Sequence, residues 1–248
     1  MNTRAVHTLK TVFLLILALW LAVSTGLVYL VTLHSRVVHA EISMGTGLVL
    51  LWVFLGGASM VLLRGRIRIL VLGIRLPWQV KFVLFATLLA MLEEAVTVGM
   101  TNLAPAFGVR IGEAYITASA NYWDVVLHHS VVVFIPWFVA WALLLKRYDF
   151  SPFWVFLLTG LNGLLAETLT FGPQHLSEFG LWIFVYGWMV YLPAYCLPTA
   201  ARRGAHPPKV WHALLAFLLP FLLSIPWAVA LHFIFPNHPN IHFPPIQP

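Results

Sequence analysis

The feature that most constrains this chain is its division into long stretches without charge. Thr11–Leu33 runs for about 23 residues with no Asp, Glu, Lys or Arg. A helix crossing the roughly 30 Å hydrocarbon core of a bilayer needs about 20 such residues. The run is also too long for the apolar centre of a signal peptide, usually about 7–15 residues, and reads as a retained first helix. Apolar stretches of similar length, four of them carrying one to three charges, recur at 44–63, 79–103, 123–145, 152–172, 178–197 and 210–235. They predict an all-α transmembrane bundle of seven spans, forming a single domain over residues 1–248 with a proline-rich tail at 236–248. Only 9% of the residues are charged, against about 25% in soluble domains, so polar surface to clothe a water-exposed globule is lacking. The apolar runs are too long for the strands of a membrane barrel.

Charge then orients the bundle. With the N-terminus cytoplasmic, the inner segments hold Arg4, Lys10, Arg64, Arg66, Arg68, Arg75, Lys81, Lys146, Arg147, Arg202, Arg203 and Lys209. The outer segments hold Arg36 and Arg110 alone, a ratio of twelve to two. That is the asymmetry of the positive-inside rule, and it predicts a multi-pass protein of the cell membrane with its C-terminus outside. Arg64, Arg66, Arg68 and Arg75, interleaved with apolar residues, predict a short amphipathic segment lying on an anionic leaflet. The same placement between spans argues against nucleic acid as the partner of the net +6 charge. The single cysteine, Cys196, excludes an intrachain disulfide or a thiolate metal site.

Against this apolar background a few polar residues stand out. Glu93 and Glu94 lie in the middle of the third span, in a chain with only eight acidic residues. Each charged side chain at that depth costs roughly 2.5–3.5 kcal/mol on insertion scales, so the pair must be paired, protonated, hydrated or used. Asp124, His128 and His129 stand near the start of the fourth span, and Asn162 and Glu167 within the fifth. Counting along the helices at 1.5 Å per residue places all of them between the midplane and the outer surface. The coincidence predicts one polar cluster open to the outside.

Helical spacing refines it. Asp124 and His128, four apart, share a face, so the carboxylate can orient the imidazole. His128 and His129 point about 100° apart in an α-helix, so one of them at most faces the glutamates. Gly160, Gly163, Glu167 and Thr170 form a stripe that aims Glu167 at a neighbouring helix. Asn162 reads as an interhelical hydrogen bond. For the glutamates the readings are metal ligation, acid–base chemistry, proton relay, or a helix-locking hydrogen bond. A divalent metal is compatible with these residues, and no motif requires one. His238 and His242, with His232 nearby, are metal-ligand types. They lie, however, in a tail of five prolines that reads as extended and solvated.

A glutamate pair on one span, followed about 35 residues later by a histidine on the next, resembles the CAAX-protease-like (CPBP) intramembrane protease family. That family carries Glu-Glu-x-x-x-Arg, Phe-x-x-x-His and His-x-x-x-Asn/Asp. Glu93 and Glu94 match the pair, His128 the second motif and Asn162 the end of the third. Val98, Asp124 and Leu158 stand where the arginine, phenylalanine and second histidine belong. The resemblance implies water activated by glutamate and histidine attacking a peptide bond, with Glu93, Glu94 and His128 as the carriers. Three functions therefore stay open: an intramembrane or metal-assisted hydrolase; a small proton-coupled carrier, with Pro136, Pro193, Pro220 and Pro226 supplying broken helices; and a structural membrane subunit.

Overall fold

The computed structural model describes residues 3–247. The chain is an all-α bundle of helices: α1 Thr3–Val31, α2 Arg36–Gly73, α3 Trp78–Asn102, α4 Tyr122–His129, α5 Val131–Arg147, α6 Pro152–Phe171, α7 Phe179–Tyr195 and α8 Trp211–Ile234. Five of them (α1, α2, α3, α6 and α8) are long and apolar enough to cross a membrane. The pair α4 and α5, bent by 49° at Ser130, makes a sixth if taken as one broken span. α7, at 17 residues, is about 25 Å long and shorter than the others. It is nevertheless the central helix, with twelve residues buried.

Glycines let α6 and α7 approach closely. A Cβ on Gly163 would sit 2.0 Å from the Tyr186 ring, and one on Gly160 would sit 2.5 Å from the Ile183 carbonyl oxygen. On the α7 side, a Cβ on Gly187 would meet the Phe156 ring at 2.6 Å. Small residues at a lipid-phase interface allow this backbone contact. The core around it is aromatic, with Trp141, Phe138, Phe156 and Phe82 almost fully enclosed.

Two expectations from the sequence change. The basic segment after the second span is no separate surface helix: α2 continues through Arg64, Arg66 and Arg68 to Gly73, 38 residues in one helix with a π-helical stretch at Val49–Gly56. Ala, Leu, Arg and Ile are all good enough helix formers to carry it on, and α2 reaches a proline only at Pro77, past its end. Nor do the prolines break the helices. Pro136 leaves the Val132 carbonyl without its usual donor, and the Trp227 indole of α8 donates to it at 2.9 Å. Pro220 likewise frees the Ala216 carbonyl, and Asn162 of α6 donates to it at 3.4 Å. Neighbouring side chains thus fill the gaps that proline opens.

The two ends of the bundle differ. One gathers Lys10 beside Phe153, Arg64 on Tyr191, Lys81 on the α2 C-terminus and Arg203 on Leu145. The other carries Asp124, the neighbouring histidines, and the loop in which Glu113 binds Arg110 and Arg36. These are the basic end and the histidine end.

Candidate functional site

The polar residues singled out in the sequence fall into two layers, joined at the break between α4 and α5. The break is prepared locally. Asn121 caps α4, its Oδ1 accepting from the N–H groups of Trp123 at 3.0 Å and Asp124 at 3.4 Å. Tyr122 donates to the Met91 carbonyl at 3.0 Å, and Asn102 donates to the Ala120 carbonyl at 2.9 Å. Both contacts fix α4 against α3. Residues Val125–His129 then wind as a π-helix, Ser130 N–H reaching back to the Val125 carbonyl at 3.0 Å. Such stretches often mark functional sites.

The inner layer is built on α3. Glu93 and Glu94 are both buried, 4% and 8% exposed. Glu94 accepts from the Thr97 hydroxyl at 2.9 Å and from the Ser130 hydroxyl at the break. Glu167 on α6 accepts from the Tyr186 hydroxyl of α7. Among the described residues no ion pair joins a histidine to Glu93 or Glu94; the histidine contacts run to Asp124 and Glu178 instead. His128, the histidine matched to the protease motif, is therefore not the hydrogen-bond partner of the glutamate pair. Ser130 is, a residue that no motif pointed to. Asn162 stands apart, fully buried and committed to the carbonyl freed by Pro220.

The outer layer is the histidine cluster. His128 Nδ1 lies 3.2 Å from Asp124 Oδ1, and His129 Nε2 lies 3.6 Å from Asp124 Oδ2. An α-helix would have turned one of these histidines away. A turn closed from i to i+5 rotates less per residue, so positions four and five ahead of Asp124 straddle its side.

The tail completes the cluster. His242 N–H donates to the Ala118 carbonyl at 2.8 Å, and Phe243 stacks on Tyr115 with ring centroids 4.7 Å apart. These contacts fold residues 236–247 back against the bundle, while most of the tail stays exposed and irregular, as five prolines predict. His238 Nε2 then sits 3.0 Å from Asp124 Oδ1 and His242 Nε2 3.0 Å from Asp124 Oδ2. His238 also approaches His129, Nε2 to Nε2, at 3.1 Å, and His242 at 3.4 Å. Asp124, His129, His238 and His242 each offer one donor atom, and all four atoms lie within 4.8 Å of one another.

The cluster is short of hydrogen bonds. Asp124 Oδ2 and His128 Nδ1 are buried and make none, despite their near neighbours. Leaving a buried polar group unpaired costs about 1–3 kcal/mol, more when it is charged. Outside the membrane-spanning helices the loop is better satisfied: Arg110 donates from its backbone and guanidinium to Glu113, whose carboxyl is held below its ordinary range.

Two clefts of about 710 and 510 Å³ open elsewhere. The first lies between α1 and α2, lined by Ala22, Gly26, Leu50 and Phe54. The second lies between α5 and α8, lined by Ile135, Val139 and Trp227. Both are apolar, and neither touches the acid layer. No protein-family model, curated protein or solved structure matches this chain.

Proposed function

We propose that this chain is a seven-span protein of the cell membrane, basic end inward, and that it works as a small proton-coupled carrier. Glu93, Glu94 and Glu167 are its proton-handling groups. The seven-span topology is supported by the charge asymmetry and by the helix order, with α4 and α5 forming one broken span and α7 a short one. Arg64, Arg66, Arg68 and Arg75 then face the anionic inner leaflet, where each basic residue near the surface adds about 1 kcal/mol.

The observation that carries the carrier reading is the Glu94 carboxylate held by Ser130 at a helix break. Intramembrane carboxylates that face the bundle interior and bond to hydroxyls are the parts of proton relays. Broken helices beside them are the parts that move in carriers. Glu94 is bonded to Ser130, and Glu167 to Tyr186. A hydrolase is the second reading, favoured by one contact: a hydroxyl bonded to a carboxylate is also a nucleophile beside its base.

Proton entry into dye-loaded proteoliposomes, driven by a potassium diffusion potential, separates the readings. The carrier reading expects wild type to exceed the Glu93→Gln/Glu94→Gln double variant by about tenfold or more, at unchanged melting temperature. Wild-type flux equal to that of protein-free vesicles, together with ester or amide hydrolysis lost in Ser130→Ala, would replace it with the hydrolase.

A further inference from the structure

We propose that Asp124, His129, His238 and His242 form a binding site for a divalent transition metal of the zinc class, which fastens the tail onto α4. The proposal stands on the histidine end alone and does not depend on what the acid layer does.

Donor geometry is the first argument. Zinc binds imidazole nitrogen at about 2.0–2.1 Å and carboxylate oxygen at about 2.0–2.2 Å, so donors at the corners of a tetrahedron lie about 3.3–3.4 Å apart. Counting both Asp124 oxygens, the nearest donor pairs stand 3.0, 3.0, 3.1, 3.4 and 3.6 Å apart, and with one atom from each residue all four lie within 4.8 Å. Several pairs already stand near the spacing a cation would need, and the wider ones must close to reach it. Without one, three imidazole Nε2 atoms crowd together around a single carboxylate, and its Oδ2 is left without a hydrogen bond.

Donor chemistry is the second. Three imidazoles and one carboxylate suit zinc, cobalt, nickel or copper, whereas calcium and magnesium take oxygen ligands. The donor set is also closed. Four protein ligands fill a tetrahedral sphere, the pattern of structural rather than catalytic zinc. His128 is a positioning residue beside it: its Nδ1 lies 3.2 Å from Asp124, and its ring packs on His238 at 4.3 Å and on Phe235 at 4.8 Å.

Access is the third. The side chains of His238 and His242 are 25% and 32% exposed, against 11% for His129 and 13% for Asp124. A metal can enter through the tail side and be held from the helix side.

The test uses tag-free, full-length protein in detergent, stripped with chelator and titrated with Zn²⁺ and Co²⁺. One equivalent should bind per chain, with the strong visible absorption of tetrahedral Co²⁺. His238→Gln/His242→Gln lies outside the membrane-spanning helices, so the bundle should survive. It should weaken binding by more than about 100-fold, where His128→Gln, beside the site, costs about tenfold. Zn²⁺ should also protect residues 236–247 from protease in wild type and not in the tail variant. Binding below about 0.1 equivalent, or equal affinity in wild type and the tail variant, would overturn the proposal.

Discussion

The basic end and the histidine end both concentrate polar side chains at the rim of an apolar bundle, yet they use them differently. At the basic end Lys81 and Arg203 are spent largely on the backbone. Lys81 donates to the Val71 carbonyl at 2.9 Å and the Ile74 carbonyl at 3.3 Å, closing the C-terminus of α2. Arg203 donates to the carbonyls of Leu145 and Pro198 and to Asp149. Helix C-termini end in unpaired carbonyls and partial negative charge, and basic side chains answer both. At the histidine end one carboxylate faces four histidines, with two buried polar atoms left unpaired. Polar residues whose demands are met inside the chain hold the fold together. At the histidine end the unpaired atoms sit among side chains of metal-ligand type, unlike the unpaired indoles of Trp137 and Trp141 in the core.

Substitutions can break this contrast. The largest effect is expected for Asp124→Asn, which removes an anionic ligand. Zn²⁺ affinity, read by competition with a chelating dye, should fall by more than about 100-fold, while metal-free melting changes little. Arg203→Ala should do the reverse. Its side chain is 3% exposed and joins three segments, so its loss leaves two carbonyls without their donor and should lower stability by about 1–3 kcal/mol with zinc affinity unchanged. Asn162→Leu strips the donor from the Ala216 carbonyl and should cost about 1–2 kcal/mol in denaturant unfolding, with proton flux unchanged. A fall in flux at unchanged stability would instead add Asn162 to the relay.

The smallest effect is that of Glu113→Gln. Arg110 holds the Glu113 carboxyl below its ordinary range, so the folded form has the lower pKa. The stabilisation it gives is present above the unfolded carboxylate range, near pH 4, and is lost as pH falls through the lower folded value. The melting difference between wild type and the variant should therefore be seen at neutral pH and vanish in acid.

How much of this was legible in the sequence depended on the range of the interactions. Long apolar runs fix their own environment, so the helical class could be read directly. The Asp124–His128 contact is four residues long and was also readable. The pairing of His129 with the same carboxylate was not, because it needs a π-helical turn that nothing in Val125–His129 announces. Ser130 was missed because a serine among apolar residues has no signature until a carboxylate from another helix faces it. The docking of the tail was missed for a related reason. Five prolines predict chain without regular structure, and residues 236–247 indeed form no helix. Lack of helix, however, says nothing about docking. The His242 backbone bond to Ala118 and the Phe243 stack on Tyr115 are contacts of more than 120 residues in sequence, beyond any local pattern.

The account turns on whether the histidine end holds a metal between α4 and the tail. Anomalous scattering at the zinc edge, from crystals of the tag-free protein grown with one equivalent of Zn²⁺, tests this most directly. The account predicts a single peak about 2.0–2.2 Å from Asp124, His129, His238 and His242. A peak at other residues, or none with the tail still folded against Tyr115, would contradict it.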